Sequence, residues 1–570
     1  MQPDHTYLED LTETSIRVEP ALVVENPDGV SWDADCDVMV IGVGLAGVCA
    51  ALRTAEDKSL QVMAIDRGEG GGASKLSGGI VYMGGGTPAQ QEAGVADSPE
   101  NMANYLAYET GSIVRPDTVR RFAEASVHFQ AWLERYGARF GGPATDEKTS
   151  YPYDKSLYFS GNELTVPGRA LATPAQRGHR AKPAKGEPTD LAGAYLLPPL
   201  IAAMEAQANV RFLRQTRATR LVVDKAGAVV GIEVLSVPPG LAAWKHAKAM
   251  AMSGNLIVGA LGLSKKLFAT IIGIERSKAK PMRIRVRRGV VIAAGGFTYN
   301  RAMMAKTARA SYLKSHPLGT IADDGSGIKL GMTVGAKTDM LDRVSAWKFL
   351  YPPASFCKAC SVGPDGNRLV GEEYYGARTG DAVFQTGDGQ GWLITDTPLW
   401  QVIIGEIAAM KKVFFQKVQF KAIQNDYTVS APTPAELAAK IGVPADRVEA
   451  TLAAYNGHVE RGEADPLGKS EKYRQTITQG PFYATDIGAS LKMNPVPALT
   501  MGGLVVDEDT GEVLSSAGGV VKGLYAAGRS AIGICSHNYV SGLSLGDCVW
   551  SGCRAAETIK GNGGAAALVP

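Results

Sequence analysis

CDVMVIGVGLAGVCAALRTAEDKSLQVMAID, residues 36–66, is the stretch whose reading decides the fold. Cys36 to Ile41 is a short apolar run of the buried-strand type. Gly42-Val43-Gly44-Leu45-Ala46-Gly47 follows, then an alanine-rich helical segment to Glu56 and a second strand, Leu60 to Ile65, closed by Asp66. A strand, a glycine turn, a helix and a strand ending in an acid form the unit that binds dinucleotides. Gly42 makes the tight turn, Gly44 lets the backbone approach a pyrophosphate lying on the helix N-terminus, and Gly47 permits close packing of helix on strand. Asp66 stands 24 positions after Gly42, near the ~20-residue offset at which such an acid meets a ribose hydroxyl. GxGxxG alone is weak, since a plain glycine turn has the same spelling; here the strand, helix and acid are all in place.

Outward from this unit, Gly70-Gly71-Gly72-Ala73-Ser74 and Ser77-Gly78-Gly79 add a second glycine-rich segment. An enzyme that binds only NAD has no need of it. In a flavoprotein such a segment lies along the dinucleotide toward the ring and offers backbone N–H groups and small hydroxyls as donors; a flexible loop is the alternative. Strand-like runs at Leu221–Val223, Val229–Val234 and Ile284–Ala294 lead to Gly295-Gly296-Phe297, and a polar glycine turn follows at Asp323-Asp324-Gly325-Ser326-Gly327. From Thr338 to Asp486 the composition is more mixed, with an amphipathic helical stretch near Thr433 to Gly457. Flavin-type motifs return at Met501-Gly502-Gly503 and Gly523 to Gly528. This order predicts an α/β protein: a Rossmann-type FAD-binding domain with a parallel sheet, residues 1–337 and 488–570, interrupted by a smaller α+β catalytic or cap domain, residues 338–487.

Composition sets bounds. A chain of 570 residues exceeds what one hydrophobic core organises. With 45% hydrophobic residues, 20% charged residues and a formal net charge of +2, it reads as an ordinary enzyme with no nucleic-acid partner. MQPDHTYLED has neither the basic start nor the apolar core of a secretory signal, which predicts a cytoplasmic protein. Among seven cysteines only Cys357 and Cys360 have CxxC spacing, and without a second pair or a nearby histidine they read as ordinary thiols rather than a metal site.

One segment stands apart. Between Leu241 and Arg288 lie Lys245, Lys248, Lys265, Lys266, Arg276, Lys278, Lys280, Arg283, Arg285, Arg287 and Arg288 against a single acid, Glu275. Apolar stretches at Asn255–Leu263 and Leu267–Ile274 are interleaved with these cations and are too short to span a bilayer. The favoured reading of this insert, residues 238–288, is a peripheral contact through 241–288 with the inner face of the cytoplasmic membrane. A helical hairpin packed on the protein and an oligomer contact are the alternatives.

The glycine fingerprint, GGGASKLSGG, VVIAAGGF, DDGSG and GLYAAGRSAIGICSHNYVSGLSLGDCVWSG together resemble the fumarate reductase and 3-ketosteroid dehydrogenase superfamily of FAD enzymes, over nearly the whole chain. The resemblance implies non-covalent FAD held by Gly42, Gly44, Ala46, Gly47, Asp66, Arg67, Ala73, Ser74, Ser77, Gly78, Gly79, Ala294, Gly295, Asp324, Gly325, Gly528, Arg529, Leu543, Ser544 and Leu545. His537 is no attachment point by this comparison, because covalent members use an N-terminal histidine and none lies between His5 and His128. Fumarate reductases carry an arginine where this chain has Tyr539, and a dicarboxylate pocket lacking that cation would bury an unpaired charge. YVSGLSL is instead similar to the 3-ketosteroid Δ4-dehydrogenases, which implies that Tyr539 and Ser541 face the steroid A-ring. The Δ1-dehydrogenases have a glycine where this chain has Leu543. Trp347 to Pro353 looks like the family segment that brings a further tyrosine, Tyr351, and Tyr153 to Glu163 also looks like the Δ4 enzymes.

The activity this implies is removal of hydrogens across C4–C5 of a saturated 3-ketosteroid, with C4 deprotonated and the C5 hydride passed to flavin N5 and on to an external electron acceptor. A donor to the C3 carbonyl stabilises the enolate, and tyrosine, with an ordinary pKa near 10, needs a hydroxyl partner to act as base. Tyr351 and Ser541 are expected to handle the proton and Tyr539 the carbonyl, although the tyrosines are interchangeable at this level. A Δ1-dehydrogenase, an enone or fumarate-type reductase, and a flavin-binding scaffold without turnover are the competing readings.

Overall fold

The computed structural model describes residues 17–150, 152, 154–186, 191–253, 264–410 and 414–568. The N-terminal decapeptide, Tyr153 and the whole of the apolar stretch Asn255–Leu263 lie outside these residues.

Nine strands build the main sheet: β1 (Leu22–Val24), β2 (Ala34–Ile41), β3 (Val62–Ile65), β4 (Val210–Leu213), β5 (Thr216–Asp224), β6 (Val229–Ser236), β7 (Lys280–Ile292), β8 (Glu512–Leu514) and β9 (Val520–Ala526). The order β1-β5-β6-β7-β2-β3-β4 places β2 inside, parallel to both β3 and β7. β9 pairs parallel with the end of β7, from Val290 to Ile292, so chain segments from both ends of the sequence share one sheet. Side chains alternate across a strand, and both faces of β2 are covered: Val38 and Val40 join one core, Met39 and Ile41 the other. The unbroken apolar run Val38–Ile41 has this double burial as its cause.

Helix α1 (Leu45–Ala55) leaves β2 through Gly42, whose φ of 95° is closed to other residues without strain. A Cβ at Gly47 would collide with the Gly42 carbonyl, so this glycine does the packing expected of it. α1 also packs against the C-terminal helix, Leu543–Lys560. The segment between 338 and 487 has its own antiparallel sheet, with Trp392–Thr395 between Cys360–Val362 and Phe482–Asp486, and Thr428–Ala431 at the edge. The helical stretch expected near 433–457 is two helices, Pro434–Ile441 and Ala445–Glu460, because Gly442 turns left-handed at φ 72° and Pro444 follows.

The basic insert folds as α2 (Leu241–Ser253) and α3 (Ser264–Lys278), between the antiparallel neighbours β6 and β7. Its cations are less free than their count suggests. Arg283 pairs with Glu233 at 2.6 Å, Arg285 with Asp28 at 2.5 Å, and Arg287 with Asp35. No helix among the described residues is long and apolar enough to cross a membrane.

Candidate active site

A cavity of about 260 Å³ opens at the C-terminal end of β2, where the dinucleotide was expected. Gly42, Gly44, Ala46, Asp66, Arg67, Ala73, Ser74, Ala294, Gly295, Gly528 and Arg529 all line it. Asp66 is fixed by its own loop: Oδ2 accepts from Val43 N at 2.9 Å and Oδ1 from Gly68 N at 2.7 Å. A Cβ at Gly44 would meet only Ser74 Oγ, at 3.6 Å, so the backbone there is open to a ligand. Arg529 donates through Nη2 to Asp323 Oδ1 at 2.5 Å, while its buried Nη1 has no partner among the described residues. An orphaned guanidinium nitrogen and an open glycine at a helix N-terminus are what an anionic dinucleotide requires.

Several expected cofactor residues stand behind this wall. Asp323 lines the cavity, whereas Asp324 turns to Arg67 at 3.3 Å and to Ser326 N. Gly325 packs on Phe297 and Met303, and Ser77 bonds back to Ser74 O. Gly78 is absent from the lining, and a Cβ at Gly79 would enter the backbone at Ala192. Leu543, Ser544 and Leu545 form the first turn of the C-terminal helix, one turn before Cys548, which does line the cavity.

The hydroxyl cluster sits at that first turn. Tyr539 Oη lies 3.3 Å from Ser544 Oγ, and its ring packs on Trp347 at 4.7 Å between centroids. Ser541 Oγ accepts a 2.6 Å bond from Tyr158 Oη, and Ser541 N bonds to Ser160 O at 2.9 Å. The hydroxyl partner of Ser541 is therefore Tyr158, not Tyr351. Tyr351 is half-buried in the segment beyond Trp347, and burial, then Glu147, pushes its phenol up to about 12. Burial likewise pushes Tyr539 to about 12 and holds Tyr158 higher still, so all three phenols are protonated at neutral pH.

The loop that follows the Leu157–Tyr158 strand is braced by buried polar groups. Asn162 N bonds to Tyr105 Oη at 2.6 Å, Asn162 Nδ2 to Glu109 at 2.7 Å, and Tyr375 N to Asn162 Oδ1 at 2.7 Å. Glu163 closes the turn onto Gly161 N at 2.8 Å, and burial lifts its carboxyl to about 7. Two arginines from the 338–487 segment reach this region, and both are paired. Arg343 bonds Asp381 at 2.8 Å and the His537 carbonyl at 2.8 Å, and Arg378 faces Glu109 at 3.4 Å. The Leu543 N–H is satisfied by Val540 O at 3.1 Å. His537 packs against Gly111 and is absent from the cavity lining.

Comparisons with known proteins agree with this layout. The chain is 33% identical to a 3-oxo-5-alpha-steroid 4-dehydrogenase of Comamonas testosteroni, over 90% of this chain and 96% of that protein. It is 26% identical to a 3-oxosteroid 1-dehydrogenase of Mycobacterium tuberculosis H37Rv, over 93% and 99%. Among solved structures, the 3-ketosteroid-Δ4-(5α)-dehydrogenase of Rhodococcus jostii RHA1, in complex with 4-androstene-3,17-dione, superposes with a TM-score of 0.76 at 29% identity, covering 95% of this chain and 99% of that one. The FAD_binding_2 family, whose description is FAD binding domain, matches residues 37–545. With that match and the Comamonas relative spanning nearly the full length, the chain belongs to the FAD-binding oxidoreductase family that includes the 3-ketosteroid dehydrogenases.

Proposed function

We propose that this protein is a 3-ketosteroid Δ4-dehydrogenase that introduces the C4–C5 double bond into 5α-saturated A-rings; both Δ4 relatives carry 5α in their names. The observation that carries the reading is the Tyr158–Ser541 bond beside Tyr539, a neutral hydroxyl set suited to a lone ketone. FAD, when bound in the cavity below, supplies the hydride acceptor. Tyr539 donates to the C3 carbonyl and stabilises the enolate. Ser541 stands at C4, its oxygen held by Tyr158, and Tyr351 of the 338–487 segment, the substrate cap, takes the C4 proton through Ser541 after releasing its own phenol proton to solvent. The Δ1 alternative, in which the amide at position 543 would serve the C3 carbonyl, is disfavoured because the Leu543 N–H already donates to the Val540 carbonyl.

The test is turnover of 5α and 5β saturated 3-ketosteroids with a dye acceptor standing in for the external electron acceptor. A Δ4-3-ketone formed from the 5α series supports the assignment. A Δ1 product, or reduction of fumarate in preference to steroid oxidation, rejects it.

A peripheral membrane contact belongs to the same proposal. On α2, Leu241 is 68% and Trp244 59% exposed, with Met252, Lys245 and Lys248 also outward. An apolar stripe with tryptophan and flanking lysines suits the surface of an anionic leaflet, from which a steroid substrate partitions. Sedimentation with anionic vesicles should fall in a Trp244→Glu, Leu241→Glu variant; unchanged sedimentation would refute the contact.

A further inference from the structure

The inner face of the insert is built differently from its outer face. Ala247, Met250 and Ala251 of α2 line the cofactor cavity beside Asp66, Arg67 and Gly68. Met250 Cε lies 3.2 Å from where a Cβ at Gly68 would stand, so this side chain lies directly on the loop that follows Asp66. Ala249 and Ile271 pack with Ile321, and Phe268 meets the Tyr299 ring edge-on at 6.0 Å. The hairpin thus touches two separate walls of the cavity, the 66–70 loop and the 320–326 turn.

A buried ionic knot ties the three parts together. Glu275 accepts from Arg67 Nε at 2.8 Å and Nη2 at 3.1 Å, faces His246 Nε2 at 3.1 Å and lies 3.8 Å from Arg217 Nε. Arg67 Nη1 continues to Ile321 O at 3.2 Å and Asp324 at 3.3 Å. On the far side Gln215 Nε2 bridges Glu69 at 2.6 Å and the Ala243 carbonyl at 3.0 Å. Arg67, expected to touch the cofactor, therefore also fastens the insert. The acid at the end of the second strand of a dinucleotide fold marks the adenosine ribose, so the hairpin covers the adenosine end of the cavity.

We infer that the α2–α3 hairpin is a clamp on the adenosine half of FAD, with Glu275 as the latch that fastens it to the 66–70 loop and the 320–326 turn. Met250, Ala247 and Ala251 supply the apolar surface that excludes water from that end. Breaking the latch opens the clamp and leaves the flavin end and the hydroxyl cluster in place.

The experiment follows FAD release from the holoenzyme by recovery of flavin fluorescence, for the parent, Glu275→Gln and Met250→Ala. Losing one charge-assisted bond of the knot should speed release about tenfold or more in Glu275→Gln. Met250→Ala disturbs no buried charge and keeps the test open if the first variant does not fold; its release should be several-fold faster. Hydrogen exchange is the second readout: FAD should slow exchange of residues 241–253 and 264–278 in the parent. Release within twofold of the parent in the folded variants, or hairpin exchange indifferent to FAD, would overturn the clamp.

Discussion

Replacing Tyr158 by phenylalanine removes one oxygen and nothing else from the site. Tyr158 is 1% exposed, and its hydroxyl donates to Ser541 Oγ at 2.6 Å, at the short end for two hydroxyls. The ring has no place in the cofactor cavity, so FAD content should match the parent. What is lost is the bond that holds Ser541 Oγ. Deleting such a partner costs about 1–3 kcal/mol, which in a step that depends on Ser541 lowers kcat roughly 5- to 150-fold. Steady-state turnover of a saturated 3-ketosteroid with a dye acceptor gives kcat and KM, and the fall should appear in kcat. Ser541→Ala should fall by at least as much, and the double variant should fall by less than the product of the two. Full turnover in Tyr158→Phe beside an impaired Ser541→Ala would show that Ser541 works without Tyr158, and the reasoning would fail.

Three more outcomes follow from the same geometry. Tyr539→Phe should keep its yellow flavin and lose about 10²–10³-fold in kcat, the usual cost of removing one donor to a developing oxyanion; full steroid turnover would remove Tyr539 from the site. Glu163, lifted from 4.5 to about 7, makes a contribution that is complete below pH 4.5 and is lost as pH rises to about 7, roughly 3 kcal/mol in all. Glu163→Gln escapes that loss, so its stability relative to the parent should improve from pH 5 to pH 8 in thermal unfolding; a difference independent of pH would contradict this. Gly47→Ala forces a methyl into the Gly42 carbonyl and should cost about 1–3 kcal/mol or more, seen as a lower melting temperature and reduced FAD content; a fully loaded protein of unchanged stability would contradict the packing.

The dinucleotide unit was legible because its signals are local: strand, Gly42 turn, helix and Asp66 fall within one short window, and the cavity forms where they meet. The hydroxyl cluster was half legible. Tyr539 and Ser541 share a motif, but the partner of Ser541 lies 383 residues away, and no periodicity in the sequence links Tyr158 to it. The chemistry at Asp323 and Asp324 was displaced by one residue, since an acidic pair in a turn does not say which carboxylate faces inward. The insert was legible on its outer, basic face and not on its inner one. Counting cations overlooked that β7 arginines pair with acids outside the window, while the lone acid, Glu275, was the informative residue: a carboxylate kept in so basic a segment has buried partners.

The most direct test of the account is anaerobic mixing of the holoenzyme with one equivalent of a 5α-saturated 3-ketosteroid, following flavin absorbance and identifying the steroid recovered. The account predicts bleaching of the flavin together with stoichiometric Δ4-3-ketosteroid. A flavin that stays oxidised with this substrate, or bleaches while the recovered steroid carries its new double bond at C1–C2, would contradict it.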